Sequence, residues 1–271
     1  MPTDIIIIGA LGRMGVEIAK AVSGDKDARL AGCVEYAGHP KIGQDYGACA
    51  GIGSDCGVKL VSSIEEAAAG LKNAVIIDFS SVQSTRANLQ KAAEMKTPIV
   101  VGTTGLGDDD YELAKKVSVT VPALVSSNMS LGVNLLFSLT ELVAQKLGGA
   151  FDIEIIEAHH RFKKDSPSGT ARTLGERAAA AIGRTYDEAV VNGRVGMASG
   201  TRLIGEIGMH AVRGGDIVGD HTVLFAGMGE RVELRHMAHN RGVFAQGAAA
   251  AAKWLSCKKP GLYTMKDVLG L

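Results

Sequence analysis

Apolar positions along the first half of the chain fall into short solid runs separated by segments of helical period. Ile5–Ile8 is unbroken and ends in glycine, the pattern of a strand buried on both faces. Arg13–Val22 then repeats apolar residues at helical spacing, and Leu30–Glu35 reads as a second strand. Further strands are predicted at Val58–Val61, Ala74–Phe79, Pro98–Val101 and Val119–Val125. Helices are predicted between them at Ser63–Ala69, Ser81–Met95 and Asp108–Lys116. Tyr36–Gly57 is rich in glycine and polar residues and is expected to be a mobile surface loop. Repeated strand–helix alternation predicts a doubly wound, Rossmann-like parallel sheet of α/β class.

The pattern changes after Asn128. Ser130–Leu147 has the period of a long amphipathic helix. Phe151, Ile153 and Ile155 then alternate with Asp152 and Glu154, as in a strand with one wet face. A helix over Gly169–Ile182 and strands over Ile204–Val212, Asp216–Phe225 and Arg231–Ala238 follow, with Gly227-Met228-Gly229-Glu230 as a hairpin turn. These elements predict a second, mixed-sheet α+β domain over residues 130–239. The first domain, residues 1–129, is completed by 240–271, where Gly242–Leu255 and Met265–Leu269 read as helices.

Composition narrows the function only by exclusion. The 271 residues are 46% apolar and 21% charged, as in ordinary globular proteins. Lys plus Arg and Asp plus Glu number 29 each, so no bulk charge draws the chain to nucleic acid or an anionic membrane. Cys33, Cys49, Cys56 and Cys257 form no CxxC pair and share no zinc spacing with histidine. Idle thiols, no disulfide framework and no metal are expected. The N-terminus lacks a basic region and a cleavage site, and its apolar run is too short for a bilayer, so a cytoplasmic protein is expected.

Gly9-Ala10-Leu11-Gly12-Arg13-Met14-Gly15 joins the first strand to the first helix. It is a spacing variant of the G-x-G-x-x-G fingerprint, but the physical demands are the same. The chain must turn sharply, and the helix amides must face a pyrophosphate. Glu35 lies 20 residues beyond Gly15, where a carboxylate can accept hydrogen bonds from ribose hydroxyls. Gly102-Thr103-Thr104-Gly105 and Ser126-Ser127-Asn128-Met129 follow predicted strands, at the ends where open α/β sheets bind ligands. They can hold the nicotinamide and its ribose, or serve only as turns.

Glu157-Ala158-His159-His160-Arg161-Phe162-Lys163-Lys164-Asp165-Ser166-Pro167-Ser168-Gly169-Thr170 leaves a strand and enters a helix. Cationic side chains facing a helix N-terminus suit a carboxylate-bearing substrate. Lysine and histidine there can also move protons near neutral pH.

Taken together, G-A-x-G-R-M-G, G-T-T-G and E-A-H-H-R-x-K-x-D-x-P-S-G-T resemble the 4-hydroxy-tetrahydrodipicolinate (dihydrodipicolinate) reductases of lysine and diaminopimelate biosynthesis. Arg213–Gly219 and Trp254-Leu255 also resemble that family, and the likeness runs along essentially the whole chain. The resemblance implies a homotetrameric NADH- or NADPH-dependent reductase of a small cyclic dicarboxylate. His159 takes a proton-donor or acceptor position and Lys163 a proton-donor position. His160 binds substrate, and Gly169 with Thr170 clamps a substrate carboxylate. Cofactor contacts fall on Gly9, Ala10, Leu11, Gly12, Arg13, Met14, Glu35, Gly102, Thr103, Thr104, Ser126, Ser127, Asn128 and Met129. Many members carry a basic residue after the strand-two acid to hold the 2′-phosphate of NADP; this chain has Tyr36 there, and Arg13 remains as a candidate phosphate partner. NADH is therefore expected to serve at least as well as NADPH.

Two other classes compete, another two-domain dehydrogenase and a non-catalytic regulator. Aspartate-semialdehyde dehydrogenase needs a nucleophilic cysteine after the cofactor domain, and none lies between Cys56 and Cys257. Homoserine dehydrogenase leaves the His-His-Arg-x-Lys segment unexplained. A non-catalytic NADH-sensing regulator would need a partner surface or DNA-reading module, and no basic arm or evident helix-turn-helix appears.

Overall fold

A computed structural model describes residues 1–53, 56–197 and 200–271. The chain divides into two compact units, Met1–Leu131 with Arg241–Leu271, and Gly132–Asn240.

Unit one opens with β1 (Thr3–Ile8), every residue of which is buried, followed by α1 (Arg13–Ser23) and β2 (Ala28–Val34). Then come α2 (Tyr46–Ala50), β3 (Leu60–Val61), α3 (Ile64–Ala68) and β4 (Ala74–Asp78). They are followed by α4 (Val82–Glu94), β5 (Ile99–Val101), α5 (Asp108–Ser118) and β6 (Pro122–Val125). Unit two holds α6 (Leu131–Leu147), which begins one residue before it, β7 (Asp152–His159), α7 (Gly169–Ala181), α8 (Tyr186–Ala189) and β8 (Val190–Asn192). It ends with β9 (Ile207–Arg213), β10 (Gly219–Ala226) and β11 (Arg231–Ala238). The chain returns to unit one through α9 (Gly242–Leu255), β12 (Gly261–Tyr263) and α10 (Met265–Leu269).

The sheet of unit one runs β12-β6-β5-β4-β1-β2-β3 with parallel pairing throughout. Because β1 lies between strands two and four, its ends face a topological switch point. Alternate β1 residues supply two cores. Ile5 and Ile7 pack with Ile18 of α1 and the alanine face of α9, whereas Ile6 and Ile8 pack with Leu89 of α4 and Ala114 of α5. The doubly wound α/β sheet is thus the one expected.

The sheet of unit two runs β11-β10-β7-β9-β8. It is mixed: β7 and β8 pair parallel with β9, and β10 pairs antiparallel with β7 and β11. One face is covered by Leu136 and Ala144 of α6 and by Leu174 and Ala178 of α7, packed on Ile153, Ile155, Val223 and Phe225.

Several boundaries differ from expectation. The Tyr36–Gly57 segment is anchored through α2, not a free excursion. Tyr46 is fully buried, and its hydroxyl donates to the Ala10 carbonyl at 2.8 Å. Ser54 and Asp55 in this segment lie outside the described residues. The β-branched run Val119–Val125 starts as a helix end: Val119 is the C-cap of α5, and the strand begins only at Pro122. Ile204 is exposed, and its strand begins at Ile207. The short α8, β8 and β12 carry too few residues for a readable period. No helix of the described residues is long and apolar enough to cross a membrane.

Candidate active site

In unit two, the period of β7 places Ile153, Ile155, Glu157 and His159 on the covered face. The first two pack in the core, while Glu157 and His159 carry that face into polar chemistry at the strand end. Glu157 is wholly buried. Its Oε1 accepts from the Ser168 amide at 3.0 Å and from Arg213 Nη2 at 2.8 Å. Its Oε2 accepts from Arg213 Nη1 at 2.8 Å and lies 2.6 Å from His159 Nδ1. Burial alone would push this carboxyl upward. The bonds from Arg213, His159 and Ser168 outweigh it and hold Glu157 below the usual carboxylate range. Burial also pulls His159 below the usual imidazole range, against the opposing pull of Glu157.

His221, opposite Glu157 on β10, stacks edge-on to His159 with ring centroids 5.2 Å apart. Its Nε2 lies 3.1 Å from Ser168 Oγ, and burial pushes its pKa down to about 3. Ser168 is also the N-cap of α7, accepting from the Ala171 amide at 3.2 Å. Gly169 and Thr170 are therefore the first two residues of α7, at the positive end of its dipole, with Gly169 exposed and Thr170 half-buried. Lys163 pairs with Asp165 at 2.9 Å and holds that carboxyl low. The Gly214 amide donates to the His159 carbonyl and the Arg161 amide to the Gly215 carbonyl, fixing the end of β7 against the loop after β9. Nδ1 of His160 is buried without a partner among the described residues.

Thus His159, His160, Lys163, Gly169 and Thr170 all fall on one strand-to-helix connection. The central carboxylate, Arg213 and His221 were not singled out from the sequence as site residues. Glu157 stands inside the quoted motif, and its place two residues before His159 on one strand face was the available signal. His221 offered none.

In unit one, the glycine turn has the geometry of a pyrophosphate cradle. Gly9 has φ +72° and sits against the Phe79 carbonyl. A Cβ at Gly15 would lie 2.3 Å from the Gly9 carbonyl oxygen, so only glycine lets α1 start this close to the turn. Glu35 Oε1 accepts from the Leu11 amide at 2.8 Å, tying the end of β2 to the turn. Arg13 and Tyr36 are exposed nearby in sequence. These features fit a dinucleotide: close backbone approach, helix amides and an acid at the second strand. Gly102 is covered by the Phe79 ring, which a Cβ there would strike at 2.1 Å. Thr103 points inward to Thr85 Oγ1, 2.9 Å away, leaving Thr104 exposed. Ser126 and Asn128 are half-buried and Ser127 is exposed. Met129 is buried in the core, and its carbonyl presses on Gly247 of α9. Thr103 and Met129 can therefore meet a ligand through backbone atoms only.

A glycine-cradled doubly wound unit, together with a unit that buries a carboxylate–histidine pair beside a lysine, defines a Rossmann-type oxidoreductase. Family comparison makes the class particular. The model described as "Dihydrodipicolinate reductase, N-terminus" matches residues 3–129, and "Dihydrodipicolinate reductase, C-terminus" matches 132–269. The chain belongs to the dihydrodipicolinate reductase family. Proteins named 4-hydroxy-tetrahydrodipicolinate reductase from Geotalea uraniireducens and Burkholderia multivorans are each 46% identical to it over 267 residues. That span is 98% of this chain and 98% and 99% of theirs. A dipicolinate-bound dihydrodipicolinate reductase from Paenisporosarcina sp. TG-14 shares the fold. Its TM-score is 0.78 at 22% identity, over 97% of this chain and 98% of that one.

Proposed function

We propose that this chain reduces 4-hydroxy-tetrahydrodipicolinate to tetrahydrodipicolinate in lysine and diaminopimelate biosynthesis, in the cytoplasm, with NADH at least as effective as NADPH. The observation that carries the reading is the buried Glu157–His159 pair set beside Lys163 and the capped N-terminus of α7, in a member of this family.

The bound nicotinamide would supply hydride. On this reading, unit one binds the dinucleotide and unit two the substrate. Gly9, Ala10, Leu11, Gly12, Arg13 and Met14 hold the pyrophosphate, and Glu35 the ribose. Backbone and hydroxyl groups of Gly102–Thr104 and Ser126–Met129 hold the nicotinamide end. Glu35 repels a 2′-phosphate, and exposed Tyr36 offers no compensating charge, which supports use of NADH.

The Gly169 amide and Thr170 hydroxyl anchor one substrate carboxylate at the helix N-terminus, and His160, with its buried unpaired Nδ1, offers a second polar contact. His159, neutral by burial and with Nδ1 engaged by Glu157, keeps Nε2 as a lone-pair acceptor. It can take the ring proton lost in the dehydration and pass it to the departing hydroxyl, which leaves as water and returns His159 to the neutral ring. A neutral ring of this form has no Nε2 proton to give, so Lys163 delivers the proton that completes the reduced ring. Exposed Ile156, Val212 and Met237 on the uncovered face of the mixed sheet support assembly as a homotetramer through unit two.

The test generates the substrate in place from aspartate-semialdehyde, pyruvate and the upstream synthase, and follows NADH and NADPH oxidation separately. Turnover is expected with both cofactors and with no preference for NADPH. Lys163→Ala and His159→Ala should each lower kcat sharply while NADH affinity stays near wild type. No turnover by the wild type would overturn the function. A strong preference for NADPH would overturn the reading of Tyr36, and wild-type rates in both variants would overturn the proton roles.

A further inference from the structure

An ion pair that served only the fold would need Arg213 and Glu157 alone. Glu157 has two further partners, the Ser168 amide at the start of α7 and His159 Nδ1. The geometry comes from the strand: Glu157 and His159 are two residues apart on one face, and Arg213 ends the neighbouring β9 in register with His159. An ionised carboxylate only accepts hydrogen bonds, so the nitrogen 2.6 Å away must carry the proton. That leaves Nε2 deprotonated and aimed toward β10. There Gly219 has no side chain, and a Cβ in its place would stand 3.0 Å from Nε2. The charged and titratable groups around the ring are Glu157 on β7, Lys163 on the following loop, Arg213 on β9 and His221 on β10.

We infer that Glu157 is a positioning residue that fixes the tautomer and direction of His159, with Arg213 as the counter-ion that keeps the buried carboxylate ionised and moderates its pull on the imidazole proton. The same carboxylate holds the Ser168 amide, so one buried group aligns the proton-handling side chain and the anion-binding helix start. The inference rests on the role proposed above for His159.

The test records nitrogen–proton correlation spectra of the histidine-labelled full chain over a pH series, alongside kcat in the substrate-generating assay. The wild type should show His159 protonated on Nδ1. Glu157→Gln turns an amide NH2 toward the ring. It should move the proton to Nε2, lower the pKa of His159 and reduce kcat about 10- to 100-fold, with NADH affinity unchanged. Arg213→Lys keeps a cation but loses the two-pronged bond. It should leave the tautomer in place and raise the pKa of His159. The two displacements have opposite sign, which a general loosening of the fold would not produce. An Nε2-protonated ring in the wild type, or an unchanged tautomer or kcat in Glu157→Gln, would overturn the inference. Should Glu157→Gln fail to fold, an unmoved His159 pKa in Arg213→Lys would overturn it. A wild type without reductase activity would overturn the proposed function and the catalytic sense of this inference, while the spectra would still decide whether Glu157 orients the ring.

Discussion

His221 should make unit two acid-sensitive from near neutral pH, above the range where ordinary carboxylates titrate. Burial lowers its pKa from the ordinary 6.5 to about 3, and the residue is 4% exposed, so solvent screening is slight. The folded value lies below the unfolded one, so between them the unfolded chain binds more protons. The stability that neutral His221 contributes is therefore complete above 6.5 and is lost as pH falls from 6.5 toward 3. Each tenfold difference in proton affinity is worth about 1.4 kcal/mol, so the full loss is roughly 5 kcal/mol, of which about 2 kcal/mol falls between pH 7 and 5. His159 and His236 are shifted the same way, so the wild-type slope contains their contributions too. His221→Gln keeps an amide able to bond Ser168 and removes only the titration of residue 221. Hydrogen exchange of β10 peptides, corrected for intrinsic rates, reads the opening free energy at each pH. The wild type should lose about 2 kcal/mol more than His221→Gln between pH 7 and 5. Parallel curves would refute the reasoning.

Two further outcomes follow from the cofactor turn. Gly15→Ala brings a methyl group within 2.3 Å of the Gly9 carbonyl oxygen and should weaken NADH binding by at least tenfold, measured by quenching of NADH fluorescence; wild-type affinity would contradict the close packing of α1 on the turn. Tyr46→Phe removes a buried hydroxyl that donates to Ala10, and should cost about 1 kcal/mol in urea unfolding and loosen the NADH complex; an unchanged unfolding midpoint would contradict the bracing role.

The sequence was most legible where periodicity and burial agree. Ile5–Ile8, buried on both faces, and the alternation from Phe151 to Ile155 each match one packing solution. The pattern failed where long-range contacts override local signals. Tyr46 sits in a polar, glycine-rich stretch, and its burial comes from contacts distant in sequence, the core around Ile5 and Ile18 and the Ala10 carbonyl that accepts from its hydroxyl. The side chains proposed to handle protons are visible as a dense motif. The residues that orient them were harder to see, because a glutamate in a strand, an arginine at the end of another and a histidine on a third become one network only through sheet register. Thr103 and Met129 show the reverse limit. Chain position predicts a ligand contact for them, but local sequence could not say that their side chains turn into the core.

The bond from the Leu11 amide to Glu35 constrains how the cofactor choice of this enzyme can be changed. The carboxylate proposed to disfavour a 2′-phosphate also braces the glycine turn. Replacing Glu35 to admit NADPH would release the Leu11 amide and slacken the cradle for both cofactors. Residue 36 is exposed and, among the described residues, makes no hydrogen bond to the glycine turn, so charge can be added there without that loss. Altered specificity is therefore more accessible to evolution or engineering through the neighbour of the acid than through the acid itself.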